Sequence, residues 1–491
     1  MPELNRDVLL LIFEELQDNS KFLFSCLMVN RLWCETAIPV LWKKPWCYTI
    51  NYCNKISLYS IITSYLSDDV KEFLTEKGIE ISVKSLAFDY LSFCRSIDIK
   101  IINDIISSKI CSNYNQFLLQ GKIYSFLIRK CPEIKYLNIR GTYDIVFLPE
   151  AKVRLESLCE LTCDTSIDEK YFYRLAHICQ QIQRIIIINN NYGVNHGATM
   201  LIEFQKNLKY FKWEDDFEDG GYNTIVLGEY TEIFHAVTKH ANTLNYFEIC
   251  LQVYYNNYFH PNNDYNAFLQ YSILKLNNLK SLKIDSSIFL YPISLGNNDF
   301  NKKLEMVAYR DLEILDIYEM NIYQVTCIIK NSLYLRELSI YEYKVVNNKF
   351  IDESLNFIRI ICENCFLIEY LSIPVFPLLD NHFTEFEKLL KKCQKLRSLH
   401  FKKTYYEKEK ELEFGKYLLN VLVREASINL KEIRIPSDIR FSSITLETFF
   451  EKWKGRPAIT ILMDEPQFYQ SDDSYKKLIS KYKGVIKHIN I

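Results

Sequence analysis

The chain has 491 residues, of which 48% are hydrophobic and 14% aromatic, with 59 Lys and Arg residues against 61 Asp and Glu residues. This composition predicts a folded protein with a large core and excludes a disordered chain. The balanced charge offers no basic field for nucleic acid or anionic lipid, and no run of about 18 apolar residues predicts a membrane span, so we expect neither partner.

The chain contains 12 Gly and 12 Pro and no linker rich in Ser, Pro or Gly, which favours one continuous extended architecture. Its 15 Cys residues lie inside apolar periodic segments and lack the close spacing of a small disulfide scaffold. We interpret them as reduced core thiols, and we expect the protein in the cytoplasm or nucleus.

Three short helices are predicted at the beginning of the chain. Asn5 caps the first, which carries apolar residues as far as Leu16. A second begins near Asn19, and Asn30 caps a third that Pro39 ends. A unit this small buries little surface, so we expect its surplus apolar residues to dock onto another protein.

Residues 4–16, 26–33 and 41–42 together resemble an F-box, although the family usually has proline where this chain has Asn5. The resemblance implies that the unit binds the Skp-family adaptor of an SCF-type cullin-RING ubiquitin ligase. It implies that eight residues contribute to this contact or support it: Leu4, Val8, Leu9, Ile12, Phe13, Leu16, Val29 and Trp33. The alternative is that these side chains only form an internal core.

A short unit recurs in the rest of the chain: an apolar residue, two variable residues, an apolar residue, a variable residue and a final apolar residue. An amphipathic helical stretch precedes most copies, so each repeat predicts one helix and one strand. Copies begin at Ile134, Ile182, Leu208, Leu244, Leu279, Leu312, Leu335, Ile368, Leu396, Leu430 and Ile486, with degraded copies near Leu155 and Ile459.

Four copies carry a cysteine three places ahead of the first apolar residue, at Cys131, Cys179, Cys365 and Cys393. With this mark, the repeats resemble the cysteine-containing leucine-rich repeats that follow an F-box in the large fungal F-box families. The predicted fold is α/β: a short all-α F-box of three helices at residues 1–45, a helical linker with degenerate early repeats at 46–125, and an irregular leucine-rich-repeat solenoid with parallel strands and outer helices at 126–491.

Motifs for catalysis, phosphate binding or metal binding are missing from the sequence. The chain contains no G-x-S-x-G, G-x-x-x-x-G-K-S/T or H-E-x-x-H, and the pair Cys362 and Cys365 has no second pair to complete a zinc site. We therefore expect no enzyme activity, no metal and no cofactor. The acidic run at residues 214–221 is interpreted as a solvated loop.

Side chains alternate along a strand, so the residues on either side of the middle apolar residue are expected on the concave face of the sheet. There they would bind a target protein. The predicted target-binding residues are Tyr210, Lys212, Tyr246, Glu248, Lys283, Asp316, Tyr370, His400 and Arg434.

The leading hypothesis is a non-catalytic substrate receptor, in which the F-box holds the adaptor and cullin scaffold and the repeats hold an unknown target. The alternative is an F-box and repeat scaffold that never recruits a ligase, and Asn5 in the proline place favours it. An enzyme would need an active-site constellation that the sequence does not contain.

Overall fold

The computed structural model describes residues 4–17, 19–47, 52–82, 85–140, 145–190, 195–217, 228–252, 267–286, 297–318, 320–341, 348–404, 410–470 and 472–490. The chain forms two compact units, Met1–Glu218 and Asp219–Ile491.

Three helices open the first unit: α1 (Arg6–Glu15), α2 (Ser20–Cys26) and α3 (Arg31–Lys43). The predicted caps Asn5 and Asn30 are confirmed, and Asn19 caps α2, because each of the three side chains accepts a hydrogen bond from a backbone N–H in the first turn. The side chain of Asn5 accepts from the N–H of Val8 at 2.9 Å. Asn5 thus supplies a cap that the side chain of a proline in its place could not.

Pro39 does not end the third helix, contrary to the prediction. It lies inside α3, which continues to Lys43. The residues around it, Ala37, Ile38, Val40 and Leu41, are all buried, so tertiary packing holds the helical backbone through a residue that lacks one hydrogen-bond donor.

The region after α3 holds α4 (Tyr52–Ser64), α5 (Asp68–Glu76), β1 (Ser96–Asp98), α6 (Ile99–Ser107) and α7 (Asn113–Lys130). Strand β1 pairs in parallel with β2 (Tyr136–Asn138). The sheet therefore begins within residues 46–125, where a helical linker with degenerate early repeats was expected. Cys94, Ile97 and Ile99 occupy the three apolar places of this first repeat and are all buried.

The first unit continues with α8 (Ala151–Leu155), β3 (Glu160–Asp164), α9 (Glu169–Ile178), β4 (Arg184–Asn189), α10 (His196–Glu203) and β5 (Tyr210–Asp215). Strands β1 to β5 pair in sequence order, all in parallel. The middle apolar residues are in register from Leu137 through Leu161 and Ile185 to Phe211.

The second unit contains α11 (Gly228–Thr238), β6 (Tyr246–Leu251), α12 (Ala267–Lys275), β7 (Ser281–Ser286), α13 (Asn297–Met306), β8 (Ile314–Tyr318), α14 (Ile322–Ile329), β9 (Glu337–Tyr341), α15 (Asn348–Asn364), β10 (Tyr370–Pro374), α16 (Asp380–Lys392), β11 (Ser398–Lys402), α17 (Glu411–Glu425), β12 (Glu432–Ile435), α18 (Ser443–Trp453), β13 (Ile459–Met463), α19 (Gln467–Gln470), α20 (Asp473–Lys481) and β14 (Ile486–Ile489). Its strands also pair in parallel and in sequence order.

The apolar residues of the strands face the helices. Phe247 of β6 contacts Phe234 of α11 with ring centroids 6.0 Å apart, and Phe401 of β11 contacts Phe386 of α16 at 5.9 Å. The predicted alternation of helix and strand and the parallel pairing are thus confirmed. Each repeat buries its apolar face against its own helix and its neighbours.

Candidate interaction surfaces

Helix α1 is apolar on nearly all sides. Leu9 and Phe13 lie in the core that the three helices share, with exposures of 0% and 1%. Val8, Leu11 and Ile12 lie on another face and are exposed. A helix that is apolar all round is normally buried all round, so the exposed face of α1 is suited to a protein partner.

Exposed apolar side chains are concentrated in these three helices and the turns around them, which we call the apolar patch. Elsewhere in the described residues, exposed large apolar side chains are scattered between Phe73 and Phe468. The apolar patch consists of Leu4, Val8, Leu10, Leu11, Ile12, Phe22, Phe24, Met28, Val29 and Leu32.

The eight predicted adaptor-binding residues divide into two groups. Leu4, Val8, Ile12 and Val29 are exposed and belong to the apolar patch. The other four form or line the internal core and do not project freely from the surface: Leu9, Phe13, Leu16 and Trp33.

Of the two roles predicted for Leu9 and Phe13, contact or support, only support is open to them, because their side chains have no exposed surface. The ring of Phe13 packs edge-on against Trp33, with centroids 5.5 Å apart. These two residues and Leu9 can only support the patch from beneath.

The three helices are attached directly to the first strand. Trp46, just after α3, is buried, and its Nε1–H donates to the carbonyl of Ser96 in β1 at 2.9 Å. The N–H of Arg95 donates to the carbonyl of Lys43 at 3.0 Å. Two hydrogen bonds and one buried indole thus fix the end of α3 against the sheet.

We call the sheet face opposite the helices the open face. It carries the residues on either side of the middle apolar residue of each strand, as predicted from the alternation of side chains. In the first unit, the guanidinium of Arg184 lies 3.4 Å from the ring centroid of Tyr210, and Lys212 pairs with Glu214 at 2.9 Å. Tyr210 and Lys212 are partly exposed.

In the second unit, the open face carries the other predicted target-binding residues. Tyr246, Asp316 and Arg434 are exposed, whereas Glu248, Lys283 and Tyr370 are partly buried. They lie on strands β6, β7, β8, β10 and β12, so the structure spreads them along the sheet rather than gathering them at one point.

His400 is the exception and corrects the prediction, since it is only 4% exposed. Its Nδ1 lies 2.5 Å from the hydroxyl of Tyr370, and its Nε2 lies 2.9 Å from Oε1 of Glu432. The Nε2–H therefore donates to the carboxylate, and Nδ1 accepts from the tyrosine. His400 positions its neighbours on the open face and has little surface for a target.

The charges around His400 stabilise this arrangement. Burial lowers the pKa of His400, which keeps the ring neutral. Partial burial opposes ionisation of Glu432, but hydrogen bonds from His400 and Arg434 outweigh it and lower the pKa of this carboxyl. Glu432 is therefore a charged carboxylate with two donors.

Ser398, His400 and Glu432 resemble a hydrolase triad in residue type, but their geometry differs from one. In such a triad, the hydroxyl and the carboxylate contact opposite nitrogens of the imidazole. Here Oγ of Ser398, at 2.8 Å, and Oε1 of Glu432 both contact Nε2. This cluster is therefore not arranged to activate the serine.

The pair Cys362 and Cys365 is buried, and burial raises the pKa of both thiols. Protonated thiols are poor metal ligands. In the ranges that the structure describes, no three His, Cys, Asp or Glu side chains group as a metal site would require. The described helices also include none with the length and apolarity needed to cross a membrane.

The sequence did not identify Asp215 as a buried residue that accepts hydrogen bonds from its neighbours. The sequence placed it in a solvated acidic loop, but it ends strand β5 and is 2% exposed. Its Oδ1 accepts from Nδ2 of Asn189 and from Nε1 of Trp213, both at 2.9 Å. A tryptophan two residues before an aspartate on the same strand is the one sequence signal for this contact. Residues 218–221 of the run lie outside the described residues.

Comparison with known proteins gives no assignment: no family model matches the chain. No curated protein matches it either.

Proposed function

We propose that the chain is the substrate-recognition subunit of an SCF-type cullin-RING ubiquitin ligase. Its apolar patch would dock on a Skp-family adaptor, and its open face would hold a target protein. The observation that carries the proposal is the concentration of exposed apolar side chains on three helices that resemble an F-box. Such a surface favours a permanent protein partner.

In this function, the chain itself performs no chemistry. It raises the effective concentration of the target near the ligase, and the catalytic residues belong to its partners. The attachment of α3 to β1 supports the proposal, because the bond from Trp46 to Ser96 would hold a docked adaptor at a fixed position relative to strand β1. The ubiquitin conjugation pathway operates in the cytoplasm and nucleus, where we expect the protein.

The second candidate is a scaffold that assembles a protein complex through the repeats and recruits no ligase. Asn5 in the proline place of the F-box pattern favours it. The scaffold and the receptor differ in one respect that can be measured, which is association with a cullin.

The test is affinity purification of the tagged full chain, with Leu11→Asp as the disrupting variant and Ile444→Asp as the matched control. Leu11 is 64% exposed in the apolar patch, and Ile444 is 75% exposed on α18, so neither change should disturb folding. We expect wild type and Ile444→Asp to recover the Skp-family adaptor and a cullin. Leu11→Asp should lose both, since a carboxylate in a dry contact costs several kcal/mol.

Recovery of the adaptor without a cullin would favour the scaffold. Recovery of neither by the wild type, or undiminished recovery by a folded Leu11→Asp variant, would contradict docking through the apolar patch. Circular dichroism of each variant separates lost docking from lost folding.

A further inference from the structure

A small depression lies on the open face of strands β7 to β10. Its volume is about 220 Å³, and it is lined by Lys283, Ile314, Leu315, Asp316, Glu337, Ser339 and Tyr370. At about 30 Å³ for each water, it would hold roughly seven water molecules. Pockets for small-molecule ligands usually begin near 300 Å³. The size therefore suits one large side chain of a protein partner.

The depression exists because short side chains lie beside long ones. Ser339 and Ser372 occupy neighbouring positions on β9 and β10, while Glu337 and Tyr370 precede them on the same strands. Ser372 is fully buried, and its Oγ has no hydrogen-bond partner in the described residues. Ser372 has no exposed surface and does not line the depression, so the short side chain within the lining is that of Ser339.

The charged groups in the depression are also without partners. Asp316 and Glu337 are exposed, and neither forms an ion pair with any described residue. This differs from Glu432 on the same face, which has His400 and Arg434.

The depression is negatively charged. Asp316 and Glu337 outweigh the single ammonium of Lys283, and Asp285 on β7 adds a further carboxylate nearby. Burial and the charge of Asp316 raise the pKa of Asp285, so these carboxylates destabilise one another. A cation at this place would relieve the repulsion.

We propose that this depression recognises an arginine side chain in an exposed segment of the target protein. The inference rests on the proposed function, in which the open face binds the target, and it names the chemistry of that contact. The juxtaposition of two unpaired carboxylates, a tyrosine ring and space for one side chain is the observation that carries it.

Arginine fits this depression better than lysine does. Its planar guanidinium carries five N–H donors, which can bridge carboxylates on neighbouring strands such as Asp316 and Glu337. It also stacks on aromatic rings, and it loses less hydration than an ammonium. The ring of Tyr370 is held at one side of the depression because its hydroxyl bonds to His400 at 2.5 Å.

The experiment is selection of a random linear peptide phage library on the immobilised full chain. We expect the clones that bind the open face to share one arginine. Clones are assigned to the open face when Tyr370→Ala reduces their binding. For synthetic peptides from these clones, replacement of the arginine by the neutral isostere citrulline should weaken binding about tenfold or more.

The double variant Asp316→Asn and Glu337→Gln should lose the same peptides. Its matched control is Asp352→Asn with Glu363→Gln, which removes two exposed carboxylates from α15 and should bind as the wild type does. The control separates the depression from a general effect of net charge.

Clones that need Tyr370 but share no arginine, or that tolerate the double variant, would overturn the arginine site and leave target binding by the open face intact. A library that yields no clone sensitive to an open-face substitution would overturn the arginine site and would also contradict the target-binding part of the proposed function. Adaptor docking would be unaffected by either result.

Discussion

Leu9 and Leu11 are two places apart in α1 and have opposite environments, with exposures of 0% and 64%. Truncation of a fully buried leucine removes core contacts and leaves a cavity. We expect Leu9→Ala to lower the free energy of unfolding of the three helices by about 2–5 kcal/mol. Hydrogen exchange of the amides of residues 6–15, followed by mass spectrometry, would measure the loss of protection.

Leu11→Ala is the control for that prediction. Its side chain is mostly in solvent, so stability should change by no more than about 0.5 kcal/mol. Equal loss of protection in the two variants would mean that the assigned inward and outward faces of α1 are wrong.

His382 should make the second unit sensitive to acid. It is 1% exposed, its Nε2 lies 3.1 Å from the carbonyl of Ile351, and its Nδ1 is buried without a partner. Burial lowers the pKa of His382, because a proton on Nδ1 would be a buried donor with no acceptor.

The direction of this pH effect follows from the difference in the pKa of His382 between the folded and unfolded states. An unfolded histidine has a pKa of about 6.5, so below that pH the unfolded chain binds the proton more readily than the folded chain does. The melting temperature should therefore fall as the pH is lowered from 7.5 to 5.5. His382→Phe, which keeps a ring against Phe376, should show a smaller fall. Calorimetry at both pH values measures the melting temperatures. An identical fall in the wild type and in His382→Phe would exclude His382 as the cause.

At the residue scale, the sequence predicted the positions of helix caps better than it predicted which side chains are buried. Asn5 and Asn30 were recognised as helix caps because the cap needs only local residues. The burial of His400 was not recognised, and a position of Leu9 in the core was only the alternative interpretation. Helix α1 has apolar residues on every side, so periodicity could not separate its inner face from its outer face. His400 is covered by Tyr370 and Glu432 from neighbouring strands, which a single repeat does not reveal.

At the scale of elements, side chains at the ends of several helices connect neighbouring repeats. In the first unit, Sγ of Cys179 donates to the carbonyl of Leu155 at 3.2 Å, and Nε2 of Gln205 donates to the carbonyl of Cys179 at 2.9 Å. Burial raises the pKa of Cys179 to about 12, so the thiol keeps its proton. We call the residues that donate in this way, three places ahead of an apolar triplet, the donor column.

The donor column continues in the second unit. Ser332 Oγ donates to the carbonyl of Tyr309 at 3.0 Å, and Cys393 Sγ lies 3.6 Å from the carbonyl of Cys365. The recurring cysteine of the sequence is therefore one of several residue types in this place. Where Cys, Ser or Gln occupies it, the side chain supplies a donor for a carbonyl of the preceding repeat, whereas Ala241 and Leu276 in the same place cannot donate.

Gln205→Ala tests the donor column. Its side chain also accepts from the N–H of Ile182 at 2.9 Å, so the substitution leaves a buried N–H and a buried carbonyl without partners. Each such group costs about 1–3 kcal/mol, and we expect the free energy of unfolding of the first unit to fall by at least about 2 kcal/mol. Urea unfolding monitored by circular dichroism would measure the change.

Gln394→Ala is the matched substitution at an exposed position, where the side chain bonds only to carbonyls of its own helix, those of Leu390 and Lys391. It should leave the unfolding midpoint unchanged. A midpoint for Gln205→Ala that equals that of the wild type would show that the donor column does not stabilise the repeats.

The sequence predicted most strands, but two whose apolar triplet contains a cysteine were expected only as degraded or degenerate copies. Strand β3 has Leu158, Leu161 and Cys163 in the three apolar places and is the degraded copy that was expected near Leu155. A cysteine is buried as readily as a leucine, but the template did not count it. Strand β1 lies among the degenerate early repeats expected at residues 46–125, and the template did not locate it because its triplet begins with Cys94.

At the scale of the whole molecule, the sheet of the second unit ends at β14, which pairs with β13. Deleting residues 481–491 would remove that strand and expose the backbone edge of β13. It would also uncover the ring of Phe450, which Tyr482 contacts. An uncovered edge strand pairs readily with other chains. We expect the truncated protein to aggregate, which light scattering after size-exclusion chromatography would detect.

Deleting residue 491 alone is the control, and it should elute as the wild type does. A truncated protein that stays monodisperse would show that β14 is dispensable as a cap. The parallel architecture itself was predictable, because a helix before each strand leaves a parallel return as the simplest connection.

The matching order of strands along the chain and across the sheet has a consequence for synthesis on the ribosome. Within each unit, every strand after the first pairs with the one made just before it. When a new helix and strand leave the exit tunnel, the edge that they need is already in place. The nascent chain can therefore fold from its amino terminus onward, one repeat at a time, and no interior strand has to wait for a partner that has not yet been translated.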